Sequence, residues 1–406
     1  MVGCRSPARH AAEADRAASA WIEQGQQKTL GRTEPFTLER PSDTLRRRLL
    51  QDQALPGLQA PEAAAKAPPL ADPLILSLHD ALRIGAANSR AYQAAKEAVF
   101  EAALSLDLQA DAFRTSFAGA LAALFSEDRT ADPDSQEIAA SGSAGVSRKL
   151  KAGATLSTRL AIDLAKLLTA DKDSSFGLAL DASISMPLLR GAGRALAAEP
   201  LTQAERNLVY AIRSFERYKQ EFAVSLASGY LSVLQQAQAV QDASSNLARV
   251  RDAYDRAARL ADAGRMPGIQ VDQARQDVLR AESRLNGVRQ SFESRLDTFK
   301  LTLGLPTDAR LELVREELTS LVGAKPDPAA DKALPISESN ALALAFANRL
   351  DFQTETDQVA DAERALNLAR DALRAGLTLK AAGSLSDRTD SLSAGGLSDL
   401  SVGVNR

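Results

Sequence analysis

The stretch from Leu247 to Gly268, LARVRDAYDRAARLADAGRMPG, carries the pattern that decides the fold. Apolar residues lead into it at spacings of three, four and seven, which is typical of helices that pack as coiled coils. The helix must end near Gly264 and Pro267, because glycine terminates helices and proline prevents their continuation. The same spacing resumes at Ala274. The sequence therefore predicts a helical hairpin.

Both arms of this hairpin are long. An arm of about 70 residues, rising 1.5 Å per residue, would form a rod on the order of 100 Å long. Few soluble enzymes need such a rod. The apolar positions of the two arms are Leu208, Ile212, Phe215, Phe222, Leu226, Val233, Ala237, Val240, Leu247, Val250, Tyr254 and Ala257, followed by Ala274, Val278, Ala281, Leu285, Val288, Phe292, Leu296, Phe299 and Leu303.

Composition excludes several classes of protein. The 406 residues are 45% hydrophobic but only 4% aromatic, which favours long helices packed through small side chains and argues against a large aromatic core. A single cysteine forms no intrachain disulfide, and His10 and His79 make no zinc or haem site. The net charge of -3 provides no global positive field for nucleic acid. No catalytic, cofactor or metal site is predicted.

Membrane-spanning helices are excluded by the absence of any run of eighteen apolar residues, whereas membrane strands remain open because their signal is weak. Between Phe113 and Pro187, small or apolar residues alternate with polar ones, which indicates strands. The polar segment Ser126 to Ser141 is interpreted as a solvated loop within that region.

The first 73 residues are interpreted as an arm and linker, because prolines punctuate residues 55 to 73. Within the arm, residues 17–22 and 45–50 are expected to form only one or two helical turns each. Cys4 follows Val2-Gly3, which fits the end of a bacterial lipoprotein cleavage site, although an apolar signal core is missing upstream. Cys4 is therefore a candidate for acylation, detectable as palmitate incorporation at this residue.

An internal repeat links two helical segments. Residues of the helix predicted from Leu76 to about Ala112 return 260 residues later, as with Ala81 and Ala341 or Asn88 and Asn348. The predicted organisation is a first repeat at 74–304, with strands at about 113–188 and the long hairpin at 190–304. A linker at 305–336 and an incomplete second repeat at 337–406 follow. One strand hairpin per repeat gives four strands in all.

Unpaired strand edges constrain the assembly, since they must be closed by other chains or aggregate. A membrane barrel needs at least about eight strands. Four strands that span a bilayer must therefore belong to an oligomer, and the helical rods would extend away from it as a tube.

Several short motifs together resemble one family. They are Asp80-Ala-Leu-Arg with Asn88, Met186-Pro-Leu-Leu-Arg-Gly-Ala-Gly193, Ala253-Tyr254, Gly264, Val271-Asp-Gln-Ala-Arg275 and Leu303-Gly-Leu-Pro306. Taken in this order and with the repeat, they resemble the TolC-type outer-membrane efflux proteins over roughly residues 74 to 406. The fold class that this resemblance implies is mainly α with membrane β: coiled-coil tunnel segments joined to strands of an oligomeric barrel.

The resemblance implies a homotrimer in the outer membrane, with one twelve-stranded barrel continued by a helical tunnel through the periplasm. Such a lipid-embedded duct exports drugs, toxins or proteins without chemistry, as in multidrug efflux and type I secretion. It docks to a periplasmic adaptor, and an inner-membrane pump supplies the energy. No cofactor is implied, and many relatives carry a lipid on a cysteine placed like Cys4.

The family's adaptor-contacting tip corresponds here to Ala263, Gly264 and Arg265. Arg265 departs from the apolar residue often found there, which leaves the identity of the adaptor open. The family's gate carries acidic residues in a second-repeat hairpin that this sequence lacks. No gate residue is therefore assigned, and the chain is expected to be a truncated product or fragment.

Other features have simpler interpretations. Gly191 and Gly193 lack the third glycine and the Lys-Ser or Lys-Thr of a phosphate loop, so a strand-to-helix junction suits them better. The carboxylates Asp163, Asp171, Asp173 and Asp181 match no calcium loop and are expected in a solvated loop or facing a pore. The charged residues Arg213, Glu216, Arg217, Lys219 and Glu221 are interpreted as a solvated helix face.

Two alternative classes remain. A periplasmic adaptor or another non-channel coiled-coil protein also has a long helical hairpin, but helices of a repeat flank the hairpin here instead of β-domains. An enzyme would need a converging nucleophile, base or metal set, and no such spacing is present.

Overall fold

The computed structural model describes residues 6–38, 45, 49, 53, 73–128, 135–167, 175–317, 337–389 and 401–405. The chain divides into two compact units. One unit comprises Met1–Thr33, Glu101–Tyr210 and Phe352–Arg406, and the other comprises Glu34–Phe100 and Ala211–Asp351. The elements, in chain order, are α1 (Pro7–Leu30), β1 (Leu74–Leu76), α2 (Leu78–Asn88), α3 (Arg90–Asp111), β2 (Thr115–Asp128), β3 (Ser135–Lys149), β4 (Thr155–Leu167), β5 (Ser175–Pro187), α4 (Arg194–Ala197), α5 (Glu199–Asp262), α6 (Gly268–Leu303), β6 (Leu311–Leu313), α7 (Glu338–Asn348), α8 (Leu350–Ala372), β7 (Thr378–Thr389) and β8 (Ser401–Asn405).

The predicted helical hairpin is present as α5 and α6, of 64 and 36 residues. At 1.5 Å per residue, α5 is about 95 Å long. Most of the apolar positions that defined the predicted seam are buried, including Leu226, Leu247, Ala281 and Leu285. The prediction of a long two-armed hairpin is therefore confirmed, although the arms are unequal.

The core of the second unit gathers around the base of this hairpin. Tyr230 is fully buried, and its hydroxyl donates to the carbonyl oxygens of Leu76 at 3.1 Å and Val314 at 3.4 Å. These acceptors border the parallel pair formed by β1 and β6. Burial raises the pKa of Tyr230, because the anionic form would lose hydration. One side chain thus joins the long helix to both short strands.

Aromatic side chains also concentrate in this unit. Rings of Phe36, Tyr92, Phe215, Tyr218 and Phe222 form a chain of neighbours whose centroids lie 5.1–6.1 Å apart. These rings form one local cluster, in which Phe215 and Phe222 are buried. Composition shows only that the chain contains few aromatic residues. The rings of this cluster are far apart in sequence and meet only after folding.

The helix predicted from Leu76 to about Ala112 is interrupted at Ser89, which separates α2 from α3. The interruption coincides with a close backbone approach by Gly304, the residue that ends α6 with φ of 78°. A Cβ on Gly304 would lie 2.0 Å from the carbonyl oxygen of Asn88. Only glycine fits here, because it has no Cβ and tolerates positive φ.

Two helix pairs share their lengths and caps. The helices α2 and α3 have 11 and 22 residues, while α7 and α8 have 11 and 23. The hydroxyl of Ser77 caps α2 by accepting from the amide of Asp80, and Ser337 caps α7 in the same way. Asn88 and Asn348 each donate through Nδ2 to the carbonyl four residues earlier. Ser77 and Ser337, like Asn88 and Asn348, are 260 positions apart, which is the spacing of the predicted repeat.

The arm at the start of the chain is more helical than expected. Residues 17–22 belong to α1, a 24-residue helix with Pro7 at its start and Gly31, at φ of 67°, after its end. Its buried positions are Ala18, Ile22, Gly25 and Gln26, and the indole of Trp21 donates to Asp107 at 3.1 Å. Ile22 is the one large apolar residue among these four buried positions, so the periodic signal is weak, which explains why only one or two turns were predicted. Residues 46–48 and 50 of the second short segment lie outside the described residues.

The strand region differs from its prediction in number. Four strands, β2 to β5, occupy residues 115–187 where one strand hairpin was expected. The supposed solvated loop from Ser126 to Ser141 is mostly strand, because Ser126–Asp128 belongs to β2 and Ser135–Ser141 to β3. The segment was interpreted as a loop because most of its residues are polar, but the backbones of Ser126–Asp128 and Ser135–Ser141 pair across β2 and β3.

Gly304→Ala tests the close approach that ends α6. We expect a loss of about 2–4 kcal/mol of stability, because the methyl group meets the Asn88 backbone and the residue must hold positive φ. The matched control is Gly287→Ala, since Gly287 lies within α6 with nothing near its missing Cβ. That control should be neutral or gain about 0.5–1 kcal/mol. Thermal unfolding followed by circular dichroism would check both, and equal midpoints would contradict the packing described here.

Candidate functional site

The six-stranded sheet is the main candidate functional surface. Its order is β2-β3-β4-β5-β7-β8, and every neighbouring pair is antiparallel. Leu160 in the centre of β4 lies opposite Ala144 on β3 and Leu180 on β5. Since directly opposite residues point to the same face, the register assigns each residue to one of two faces.

One face of the sheet, called the apolar face here, carries nearly all of the large hydrophobic side chains. Its described members are Phe117, Leu121, Phe125, Ile138, Val146, Leu156, Leu160, Ile162, Leu164, Phe176, Leu178, Leu180, Ile184, Met186, Leu379 and Leu385. Most of them are exposed, with Leu121 at 93% and Phe117 at 79%. Such a patch far exceeds the isolated apolar residues that are normal on a monomer.

The opposite face, called the polar face, consists of small and polar side chains. Its polar members include Ser116, Ser141, Ser143, Ser147, Ser157, Arg159, Asp163, Asp181, Ser183, Lys380 and Ser384. Cross-strand hydroxyl pairs join Ser116 to Ser147 at 2.7 Å and Ser157 to Ser183 at 2.8 Å. Leu124 is the large apolar exception among the described side chains. The sheet is therefore strongly two-sided.

The predicted carboxylates divide between this face and the rest of the chain. Asp163 and Asp181 lie on the polar face, where Arg159 is directly opposite Asp181. Asp171 and Asp173 lie outside the described residues. Among the described residues, no group of three or more metal-ligating side chains comes together. The polar face is therefore a hydrophilic surface that carries both positive and negative side chains.

The length of the apolar face matches a bilayer strand. On β4 its large side chains run from Leu156 to Leu164, and on β5 from Phe176 to Met186. A tilted strand needs about 9–11 residues to cross the hydrocarbon layer. Among the described helices, none combines the length and the apolar character needed to cross a membrane.

One end of the sheet is tied to helices within the same unit. The turn between β3 and β4 is closed by the amide of Leu150 donating to Ala154 at 2.7 Å. Gly153, at φ of 95°, sits where a Cβ would be 3.3 Å from Ala197 of α4. Beyond β5, the amide of Gly191 donates to the buried carboxylate of Asp371 at 2.6 Å. Gly191 and Gly193 thus form the predicted strand-to-helix junction.

A polar network joins the start of α5 to α8. Asp361 accepts from the hydroxyl of Tyr210 at 2.6 Å and pairs with Arg364 at 2.9 Å, and Arg206 lies 3.6 Å away. Arg364 also donates to Glu199 at 2.9 Å. Burial opposes ionisation of Asp361, but hydrogen bonds from Tyr210, Gln203 and Arg364 outweigh it and lower the pKa of Asp361.

Two of the charged residues of α5 that were expected to be solvated, Glu216 and Lys219, are largely covered, whereas Arg217 and Glu221 are exposed as expected. Glu216 is 5% exposed and pairs with Lys219, which also pairs with Glu34. Arg217 binds Glu221 and Asp351, both at 2.7 Å. The interpretation as a solvated face is therefore wrong for Glu216 and Lys219, because chain segments distant in sequence cover them.

The predicted hairpin tip has the geometry of a helix-terminating turn. Gly264 adopts φ of 70°, and its amide donates to Ala261 at 2.9 Å while that of Arg265 donates to Leu260 at 2.8 Å. These two bonds form a Schellman motif, which satisfies the last carbonyls of α5. Ala263, Gly264 and Arg265 are all exposed. The turn prediction is confirmed, whereas contact with an adaptor stays a prediction.

The remaining predicted site residues carry no assigned role. Cys4 lies outside the described residues, so its acylation stays a prediction. His79 is exposed at the start of α2, and His10 is exposed on α1.

The fold is similar to that of solved outer-membrane channels. The outer membrane protein VceC from Vibrio cholerae matches with a TM-score of 0.50 and 11% identity, over 81% of this chain and 66% of its own. The Campylobacter jejuni CmeC outer membrane channel matches with a TM-score of 0.51 and 12% identity, over 81% of this chain and 60% of its own. CusC, described in terms of transmembrane channel formation, matches at 0.50 and 13%, over 81% of this chain and 65% of its own.

These matches define the class of fold. At such low identity they show that the chain has the fold of these outer-membrane channels, in agreement with the fold that the sequence motifs implied. The chain spans less than two thirds of the length of each of these proteins. No protein-family model and no curated protein matches the sequence.

Sequence reasoning missed two parts of this site. The polar network around Asp361 left no signal, because Tyr210 and Asp361 are 151 positions apart. The additional strands did leave a signal in the sequence, because apolar and small residues alternate from Ile138 to Val146 with the period of a strand. Its many Ser, Gly and Ala residues concealed it.

The network around Asp361 predicts acid sensitivity of α8 packing. Because the pKa of Asp361 is lowered on folding, its contribution is present above about pH 4 and is lost as the pH falls through the lower folded pKa. Asp361→Asn should therefore lower the thermal midpoint at pH 7 and have a shrinking effect towards pH 3. The control is Asp262→Asn at the exposed end of α5. A deficit of Asp361→Asn that is constant across this range would contradict the assigned ionisation.

Proposed function

We propose that the chain is a subunit of an outer-membrane channel that serves as the passive exit duct of a tripartite export system. The observation that carries this proposal is the two-sided sheet, whose apolar face is exposed over a bilayer's thickness while its reverse is hydrophilic. The similarity in fold to outer-membrane channels supports the same conclusion.

The apolar face needs a non-aqueous environment. Each large side chain on it would gain about 1.5–3 kcal/mol on leaving water. Lipid supplies that environment without any specific partner surface. The polar face, with Arg159, Asp163 and Asp181, would then line an aqueous passage. In this arrangement the outer membrane holds the sheet and the helices extend into the periplasm.

Other copies of the chain are needed to complete the wall. The six described strands are fewer than the minimum of about eight for a membrane barrel. A homotrimer, as the family resemblance implies, supplies the additional strands. The exposed apolar residues Leu342, Leu344, Val359 and Leu366 on α7 and α8 are consistent with further helix packing in such an assembly. The matching caps of α2 and α7 support an internal repeat.

The hairpin tip at Ala263, Gly264 and Arg265 is proposed as the contact with a periplasmic adaptor. The tip is exposed, its turn is closed by the backbone hydrogen bonds of Gly264 and Arg265, and it lies at the end of two long helices. The inner-membrane pump would act only through that adaptor. Drugs or other exported molecules are the cargo class, and Cys4 is proposed to carry an additional lipid anchor. No catalytic chemistry is required.

A non-channel coiled-coil protein is the alternative function. It would account for α5 and α6 equally well, and the helical hairpin alone does not separate the two. Such a protein has no use for an exposed apolar sheet face. The sheet therefore favours the channel.

Leu160→Arg tests the membrane-facing assignment. An arginine there should cost about 2–4 kcal/mol of membrane stability, since Leu160 lies midway along the apolar face. The variant is expected to show reduced assembly in the outer membrane and reduced export. The matched control is Ala161→Arg, one residue away on the polar face, which should assemble normally. Normal assembly of Leu160→Arg would refute the orientation of the sheet.

Arg265→Glu tests the hairpin tip. We expect loss of export and of adaptor co-purification with unchanged assembly, because Arg265 is exposed at the turn between α5 and α6. Arg289→Glu provides the control, since it reverses an exposed charge on α6 well away from the turn. Drug resistance of the Arg265→Glu strain, measured beside the control, decides the result. Wild-type resistance in both would place the adaptor contact elsewhere.

A further inference from the structure

Basic side chains collect at one end of the six-stranded sheet, called the helix end here because α3 leads into β2 there and β5 leads out to α4. Four described stretches form this end, residues 113–116, 147–156, 185–198 and 374–381. They contain eight basic residues and no acidic one, and all eight are exposed. The basic residues are Arg114, Arg148, Lys149, Lys151, Arg190, Arg194, Arg374 and Lys380.

The fold brings these four stretches together although they are far apart in sequence. The start of β2 is paired with β3 at Arg148, just before the turn between β3 and β4. That turn packs on the segment after β5, because a Cβ on Gly153 would lie 3.3 Å from the carbonyl oxygen of Gly191. The same segment binds the chain before β7, with the amide of Leu188 donating to Leu377 at 2.8 Å. The eight cations therefore form one group, called the basic belt here.

Most of the charge in the basic belt is uncompensated. Arg114 and Arg374 pair with carboxylates, at 2.8 and 3.4 Å. The ammonium of Lys149 lies 5.6 Å from the centre of the Phe113 ring, a cation–π contact that leaves its charge in place. Within the described parts of the chain, the other cations of the belt have no ion pair. They are Arg148, Lys151, Arg190, Arg194 and Lys380.

The opposite end of the sheet has the reverse balance of charge. Its described strand ends contain five acidic and two basic residues. They are Glu127, Asp128, Glu137, Asp163, Asp387, Lys166 and Arg388. The whole chain has a net charge of -3, so a general excess of cations does not account for the belt. Positive charge is concentrated at the helix end.

The basic belt borders the apolar face of the sheet. Arg148 lies on that face, opposite Leu156, where the large side chains of β4 begin. Leu188 and Leu189, 41% and 44% exposed, directly precede Arg190. If hydrocarbon covers the apolar face, the belt lies at the level of the adjoining lipid headgroups. Arginine and lysine suit this level, because their stems cover apolar surface while their charges stay among polar groups.

We infer that the basic belt binds the phosphate groups of anionic phospholipids in the leaflet on the helix side. The inference rests on the proposed membrane location of the sheet and adds a class of lipid to it. Guanidinium and ammonium groups both bind phosphate oxygens. A soluble acidic protein would match the charge but not the exposed leucines beside it, whereas a phospholipid supplies both a phosphate and an acyl chain. A zwitterionic lipid binds less strongly, because its own cation offsets its phosphate.

Spin-labelled lipids test this inference on the full chain reconstituted in phosphatidylcholine bilayers, because electron paramagnetic resonance separates lipid held at the protein surface from bulk lipid. At low salt, we expect labelled phosphatidylglycerol to be held at least about fivefold more strongly than labelled phosphatidylcholine, since one basic side chain at an anionic surface contributes about this factor. The preference should fall towards unity in 1 M salt, where the Debye length is about 3 Å.

A double variant assigns the preference to the belt. Arg148→Gln with Lys151→Gln should at least halve the preference and leave the total amount of protein-held lipid unchanged, because both side chains are exposed. The matched control is Arg388→Gln with Lys166→Gln, which removes one arginine and one lysine from the opposite end of the sheet. The control should keep the wild-type preference.

Two further results would overturn the inference and leave the channel proposal intact. One is protein-held lipid with no preference in the wild-type chain, or with a preference that the control lowers as much as the belt variant. The other is displacement of labelled phosphatidylglycerol by millimolar glycerol phosphate at constant ionic strength, which would assign the belt to soluble phosphates. A chain that holds neither lipid would contradict the membrane location itself.

Discussion

The register of the six-stranded sheet is the constraint on which the rest of the structure depends. Once Leu160 is opposite Ala144 and Leu180, the two-residue period sends every large side chain of β4 to one face. A slip by one residue would place Arg159 and Asp163 among leucines. The same backbone hydrogen bonds that hold the strands together therefore also separate an apolar surface from a polar one. In the proposed channel, insertion into lipid and formation of an aqueous passage would both depend on this register.

The helical part solves a different problem, the close packing of long rods with few large side chains. Glycine allows this at specific points: a Cβ on Gly85 would lie 2.5 Å from Leu226, and one on Gly304 would meet the Asn88 backbone. Tyr230 then satisfies two carbonyls beside the short parallel strands. The few aromatic residues are concentrated where α3 and α5 meet the segment that contains Phe36. Close backbone approach and a few buried rings thus add to the leucine-rich core of the second unit, which includes Leu226, Leu303 and Leu305.

Local pattern was enough to predict the helical hairpin and its turn at Gly264, because both depend on residues near one another in sequence. The number of strands was underestimated, since Ser, Gly and Ala in β3 satisfy a strand as well as a loop. Burial of Glu216 and the bonds of Asp361 depend on partners brought in by folding. Periodicity identifies elements and faces, but pairing between distant charged residues has no periodic signature. The helix α1 was predicted only in part, because its buried stripe of Ala18, Ile22, Gly25 and Gln26 has a weak apolar periodicity.

The turn at Leu150–Ala154 has a consequence for how such a wall can change during evolution. It returns the chain to the end of the sheet where α4 begins, so β5 still delivers the polypeptide to the helices. An insertion of one strand would leave the chain on the far side of the sheet, with no route back to the helix. Insertions of two strands leave the helical scaffold untouched. In the proposed channel, the circumference of the wall could therefore change only by whole hairpins, and the helices that follow β5 would stay as they are.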